Sequence, residues 1–92
     1  MDITILFDEA NNRALAKDGA EEIGQATFSR SDKIWIIDHT FVDDRYRGQG
    51  IAKKLVDKVA EEARMHSIKL AATCPYAKRL FESKDEYRDL VL

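Results

Sequence analysis

Thr40-Phe41-Val42-Asp43-Asp44-Arg45-Tyr46-Arg47-Gly48-Gln49-Gly50-Ile51-Ala52-Lys53-Lys54-Leu55-Val56 is the stretch from which the fold of this chain can be read. Ahead of it, Ile34-Trp35-Ile36-Ile37-Asp38-His39 is β-branched and aromatic, and reads as a strand. Behind it, Ile51, Leu55 and Val59, with Ala52, Val56, Ala60 and Ala63, recur at helical spacing. Lys53, Lys54, Asp57, Lys58, Glu61 and Glu62 fill the opposite side. A strand thus runs into a glycine-containing turn that opens directly into an amphipathic helix. Such a turn aims free main-chain N–H groups and the positive end of a helix dipole at one point, which suits an anion, typically a phosphate.

Two familiar phosphate-binding patterns fail here. A nucleotide P-loop ends in Gly-Lys-Ser/Thr, whereas Gly50 is followed by Ile51-Ala52-Lys53. A dinucleotide-binding turn needs a third small residue where Lys53 stands and an acid about twenty residues on, where Lys69-Leu70-Ala71 lies. The pattern that fits is Arg/Gln-x-x-Gly-x-Gly/Ala, as Arg45-Tyr46-Arg47-Gly48-Gln49-Gly50. It resembles the acyl-CoA-binding signature of the GNAT acetyltransferase superfamily, in which this turn grips the CoA pyrophosphate. The resemblance covers about the last sixty residues. His39-Thr40-Phe41-Val42, Arg47-Gly48-Gln49-Gly50 and Cys74-Pro75-Tyr76 look like the very short, single-domain YjdJ-type branch, and Tyr87-Arg88-Asp89-Leu90 resembles its ending. The resemblance implies acetyl-CoA or coenzyme A as the cofactor and N-acetyl transfer as the activity.

Ninety-two residues suffice for one domain, expected over 1–92, with a modest core. Hydrophobic residues at 45% and charged residues at 35% describe an ordinary globular chain. A net charge of −2 without a dense basic run speaks against nucleic acid as a partner. A single Cys cannot form an internal disulfide, which suits a reducing compartment. Met1-Asp2-Ile3-Thr4 lacks a signal-peptide pattern and no apolar run reaches membrane-spanning length, so the expectation is a cytoplasmic chain without membrane attachment. No His/Cys/Asp/Glu spacing suggests a metal.

Along the chain, strands are expected over Ile3–Phe7, Arg13–Lys17, Glu22–Ser29 and Ile34–Val42. Turns at Asp8–Asn12, Asp18-Gly19 and Ser29–Lys33 join them into an antiparallel meander. A helix from about Gly50 to Met65 leads to a strand over Ile68–Thr73, a strand–helix–strand unit that favours a parallel pair. Pro75 ends that strand, and Tyr76–Glu82 reads as a short helix with Ala77, Leu80 and Phe81 inward. The fold class is mixed α/β (α+β), GNAT-like. The short early connections leave no room for the helices that typical GNAT domains insert between their first two strands to help form the acceptor site.

In the turn, a plain helix start needs one glycine at most. Two glycines two apart let the backbone approach an anion closely, and Arg45 and Arg47 add charge. Contacts would come mainly from main-chain N–H groups of Arg47, Gly48, Gln49, Gly50, Ile51 and Ala52, with N–H groups near Phe41 and Val42 polarising a thioester carbonyl. Cys74 has two readings: a small buried hydrophobe, or a nucleophile at the C-terminal end of a strand beside the phosphate turn, its thiolate favoured by the helix that follows. His39 is either a half-buried strand residue or a general base able to reach Cys74, because a regular strand puts Trp35, Ile37, His39 and Phe41 on one face. A bulge, common in this strand of GNAT folds, would change that face. His66 reads as a helix cap. Tyr76 resembles the GNAT tyrosine that acts as acid toward the leaving thiolate, at an offset position. A lysine of the long helix, Lys78 or Arg79 is available for the CoA 3′-phosphate. Two functions remain open on these residues. One is an acetyl-CoA-dependent N-acetyltransferase acting on an amine or small nucleophile. The other is a CoA-binding module with little turnover that docks on a protein partner.

Overall fold

The computed structural model describes residues 2–92, so Met1, the first residue of the expected domain, lies outside it. Five strands form one sheet in the order β1-β2-β3-β4-β5: β1 (Ile3–Asp8), β2 (Arg13–Asp18), β3 (Glu21–Ser31), β4 (Ile34–Val42) and β5 (Lys69–Ala72). The first four are antiparallel neighbours, and β5 joins β4 in parallel. Helices α1 (Ile51–Met65) and α2 (Pro75–Ser83) follow β4 and β5 respectively. Among the described residues no helix is long and apolar enough to cross a membrane.

The apolar stripe read in the sequence is the buried stripe of α1, Ile51, Leu55, Val56, Val59, Ala60 and Ala63, except that Ala52 is only half-buried. The sheet meets it with small residues. Ala14, Ala16 and Ala26 have no exposed surface, and a Cβ built on Gly24 would lie 2.9 Å from the Phe41 carbonyl oxygen and 3.3 Å from Leu55 Cδ1. The helix therefore rests almost directly on the sheet backbone. Farther along, Phe28 and Trp35 stack with centroids 4.5 Å apart and Phe7 closes the group, so large rings fill the space where helix and sheet diverge.

Pro75 is the first residue of α2, one earlier than expected; its fixed φ and missing N–H suit the first helical position. The end of the chain was not anticipated. Leu90 to Leu92 return to β5, where Leu70 donates to the Leu90 carbonyl (3.0 Å) and its carbonyl accepts from Leu92 (3.1 Å). Tyr87 is buried against α1 and bonds Asp57 through its hydroxyl, and burial, aided by that bond, pushes the phenol well above its ordinary value. Lys53 is clamped nearby between Asp57 (2.9 Å) and Glu86 (2.6 Å).

Two irregularities position the site. The first is a bulge in β4. Thr27 pairs with His39 while Phe28 pairs with Ile37, leaving Asp38 as the extra residue. Strand alternation slips there, so Trp35, Ile37, Thr40 and Val42 share the face toward α1, with Ala26 opposite Thr40 and Gly24 opposite Val42. Asp38 holds the bulge by accepting from Thr27 Oγ1 (2.6 Å) and Ser29 Oγ (2.9 Å) on the outer face. The second is a fork. Only Ile34–Ile37 of β4 pairs with β5, and the Ile37 carbonyl takes both the Thr73 and Cys74 N–H groups (3.0 and 3.2 Å). Beyond it, Asp38–Val42 keeps β3 on one side and has no strand on the other.

Candidate active site

The fork opens into a cleft of about 460 Å³. Thr40, Phe41 and Val42 supply one wall, Ile51 and Ala52 at the start of α1 a second, and Tyr76 of α2 the third. Tyr46, Arg47, Gly48 and Gly50 complete the lining. The turn is built as the glycines suggest: Gly48 has φ +81° and Gly50, which precedes α1, has φ +75°. Nothing lies within 4 Å of a Cβ at either position, so the turn faces open space. The first intrahelical bond of α1 runs from Lys54 N–H to the Gly50 carbonyl (3.2 Å). The main-chain N–H groups of Gly48, Gln49, Gly50, Ile51, Ala52 and Lys53 find no protein acceptor among the described residues. This is a cluster of donors at the positive end of a fifteen-residue helix.

The turn is pinned from behind. Tyr46 is buried and its hydroxyl donates to Asp18 Oδ2 (2.6 Å), tying the turn to the β2–β3 hairpin. That bond holds the Asp18 carboxyl below the usual range and raises the phenol. Arg45, expected to add positive charge for an anion, is held by Asp43 and Glu21 instead, with Nε 3.0 Å from Asp43 Oδ1, and it does not line the cleft. The reason is local: Asp43 accepts the Arg45 N–H at the start of a 3-10 turn, which brings the guanidinium back onto the same carboxylate. Arg47 does line the cleft and pairs with the exposed Asp44 (2.9 Å). Gln49 lies in the turn but its side chain is not part of the lining.

Cys74 is 5% exposed and sits at the fork, immediately before α2. Its side-chain neighbour is Thr40, with Oγ1 3.5 Å from Sγ. The expected partner, His39, is not there. The bulge turns His39 to the outer face opposite Thr27, where it is exposed, and brings Thr40 inward in its place. Alternation alone could not reveal this, since the slip is set by the pairing with β3. Burial, the largest single influence, pushes the Cys74 thiol up. The N–H of Ala77, the Thr40 hydroxyl, the N–H of Tyr76 and the main chain of Thr40 together outweigh it and leave the thiol below its ordinary value. The sulfur makes no formal cap to α2. Tyr76 is raised, chiefly by burial, so its phenol stays a proton donor. Among the described residues no group of His, Cys, Asp and Glu is arranged to hold a metal.

A strand fork and a two-glycine turn whose donors lack acceptors among the described residues border one cleft, while Cys74, at the fork, is not among its lining residues. The family model described as GCN5-related N-acetyl-transferase matches residues 13–90. The chain belongs to the GCN5-related N-acetyltransferase family. Members of this family transfer acyl groups from acyl-CoA. A GCN5-like N-acetyltransferase candidate from Staphylococcus aureus, solved by NMR, is 35% identical with a TM-score of 0.76, over 97% of this chain and 87% of that one. The short, single-domain form of the family therefore fits. A ribosomal-protein-alanine N-acetyltransferase from Brucella melitensis biovar Abortus 2308 is 27% identical with a TM-score of 0.67; the chain spans only 57% of its length. An N-acetylglutamate synthase from Neisseria gonorrhoeae, in complex with coenzyme A and N-acetyl-glutamate, shares the fold at 18% identity and a TM-score of 0.61. No curated protein matches the chain.

Proposed function

We propose that this GCN5-related chain binds acetyl-CoA in the cleft and transfers its acetyl group to an amine or other small nucleophile. One observation carries the reading: six adjacent main-chain N–H groups at the start of α1, without protein acceptors among the described residues, open on a cleft that leads to Thr40 and Tyr76. In this reading the Gly48–Ala52 turn and Arg47 hold the pyrophosphate. The unpaired edge of β4 at Phe41 and Val42 receives the pantetheine arm and polarises the thioester carbonyl. Cys74 as thiolate attacks that carbonyl; a thioester forms at Sγ while the bond to the CoA sulfur breaks. Tyr76, raised chiefly by burial, gives the leaving thiolate its proton in this reading. An amine then takes the acetyl group as the bond to Sγ breaks; the amine's proton returns Cys74 to a thiol, and Tyr76 regains its proton from solvent.

Mixing the protein with acetyl-CoA is expected to add one acetyl group, detected by intact mass, with release of CoA. Cys74→Ala should abolish the adduct while CoA still binds by isothermal titration. Turnover with an amine that survives Cys74→Ala, with no adduct in the wild type, would replace the covalent route by direct transfer.

A second reading has its own support. Only a three-residue 3-10 turn, Glu9–Asn11, separates β1 from β2, so the helices that help form an acceptor site in larger relatives are missing. A CoA-binding module that completes its acceptor site with a partner protein answers that gap. It predicts CoA binding with neither adduct nor turnover for the isolated chain.

A further inference from the structure

The sequence supplies an imidazole as the obvious activator of Cys74, and the fold removes it. His39 lies on the outer face of the sheet, and the residue turned inward at the fork is Thr40. Its hydroxyl is the one side-chain hydrogen-bonding group found at Sγ among the described residues, at 3.5 Å. The bulge leaves Thr40 little choice of direction. It stands opposite Ala26, whose side chain has no exposed surface, and Thr40 itself lines the cleft. The other groups around the sulfur are the Tyr76 phenol and the N–H groups of Tyr76 and Ala77 from α2. From α1, Lys53 and Asp57 act on Tyr76 rather than on the sulfur directly.

We propose that Thr40 is the positioning residue of Cys74: its hydroxyl fixes the sulfur at the apex of the fork and donates to the thiolate, so that activation needs no imidazole. The inference rests on the covalent reading of the site but concerns the free protein, before any thioester binds. When the thiol ionises, its proton passes to solvent. The Thr40 proton stays on its oxygen, and the hydroxyl reorients from accepting the S–H with its oxygen to donating its O–H toward S⁻. A hydrogen bond to a charged group favours the charged form, and in a buried site nothing from solvent replaces it.

The test uses the sole cysteine of the chain as its own reporter. The ultraviolet absorbance of the thiolate is followed against pH, with Cys74→Ala subtracted to remove tyrosine. Thr40→Val, close in shape but without the hydroxyl, is expected to raise the midpoint by roughly one pH unit, a fall of about tenfold in thiolate at neutral pH. Thr40→Ser should restore the wild-type midpoint, and His39→Ala should leave it unchanged. A wild-type midpoint in a folded Thr40→Val protein overturns the proposal, as does a His39→Ala shift larger than that of Thr40→Val. If Thr40→Val fails to fold, a Thr40→Ser midpoint displaced by a full unit from wild type also overturns it. Failure of the protein to bind acetyl-CoA would leave all these midpoints as stated, so the two readings fail separately.

Discussion

Gly50→Val is expected to remove CoA binding, with affinity falling at least about a hundredfold, while the circular dichroism spectrum stays that of the wild type. Gly50 precedes α1 with φ +75°, a conformation costly for any L-residue and worse for a β-branched one. A Cβ there points into open space, with nothing outside its chain neighbours within 4 Å, so the core has no reason to shift. What changes is the turn itself: either the backbone leaves the left-handed region, or the side chain stands where the anion must come close. Loss of two charge-assisted bonds at about 1.5–3 kcal/mol each gives the stated factor. Isothermal titration with CoA reads it. A folded Gly50→Val protein that binds CoA like the wild type would refute the assignment of the turn.

Gly24→Ala is the second large effect, and it tests how the cleft wall is supported. Gly24 has an ordinary φ; its reason is space. An added methyl would sit 2.9 Å from the Phe41 carbonyl oxygen, 3.3 Å from Leu55 Cδ1 and 3.5 Å from Val42 Cα. Leu55 has a flexible end, but the Phe41 oxygen is main chain, so β4 must move. Such overpacking costs about 1–3 kcal/mol, read as a lowered urea midpoint with unchanged slope. Because Phe41 and Val42 form a wall of the cleft, CoA affinity should fall in the same variant although residue 24 is not in that wall. Wild-type stability together with wild-type affinity would mean that β3 and α1 are held less tightly than the structure shows.

The physical signals that made the fold readable were strong and local. The apolar stripe from Ile51 to Ala63 and the β-branched run at Ile34–Ile37 have no competing interpretation, and the glycine pair marks their junction. What stayed hidden depended on partners far along the chain. Trp35, Ile37, His39 and Phe41 alternate perfectly, yet the bulge that puts His39 outside is fixed by Thr27 and Ser29 of the neighbouring strand. Arg45 looks like a phosphate ligand in a basic hexapeptide until the fold brings Glu21 beside it. Of the cations the sequence offers a 3′-phosphate, Lys53 is paired with Asp57 and Glu86, and Lys58 with Glu61. Tyr46 gave no signal of its own, because its role lies in an aspartate twenty-eight positions earlier.

The fork at Ile37 also divides β4 by exchange lifetime. Up to Ile37 the strand is flanked on both sides and its amide hydrogens are locked into two ladders. From Asp38 to Val42 only the β3 side is occupied. The amides on the free side should therefore trade hydrogen for deuterium as fast as those of an edge strand, although they lie in the interior of the sheet order. A ligand lying along that edge acts as a temporary sixth strand. Slowed deuterium uptake in the peptide spanning Asp38–Val42, with no change in Ile3–Asp8 at the far edge, would map its path without any substitution.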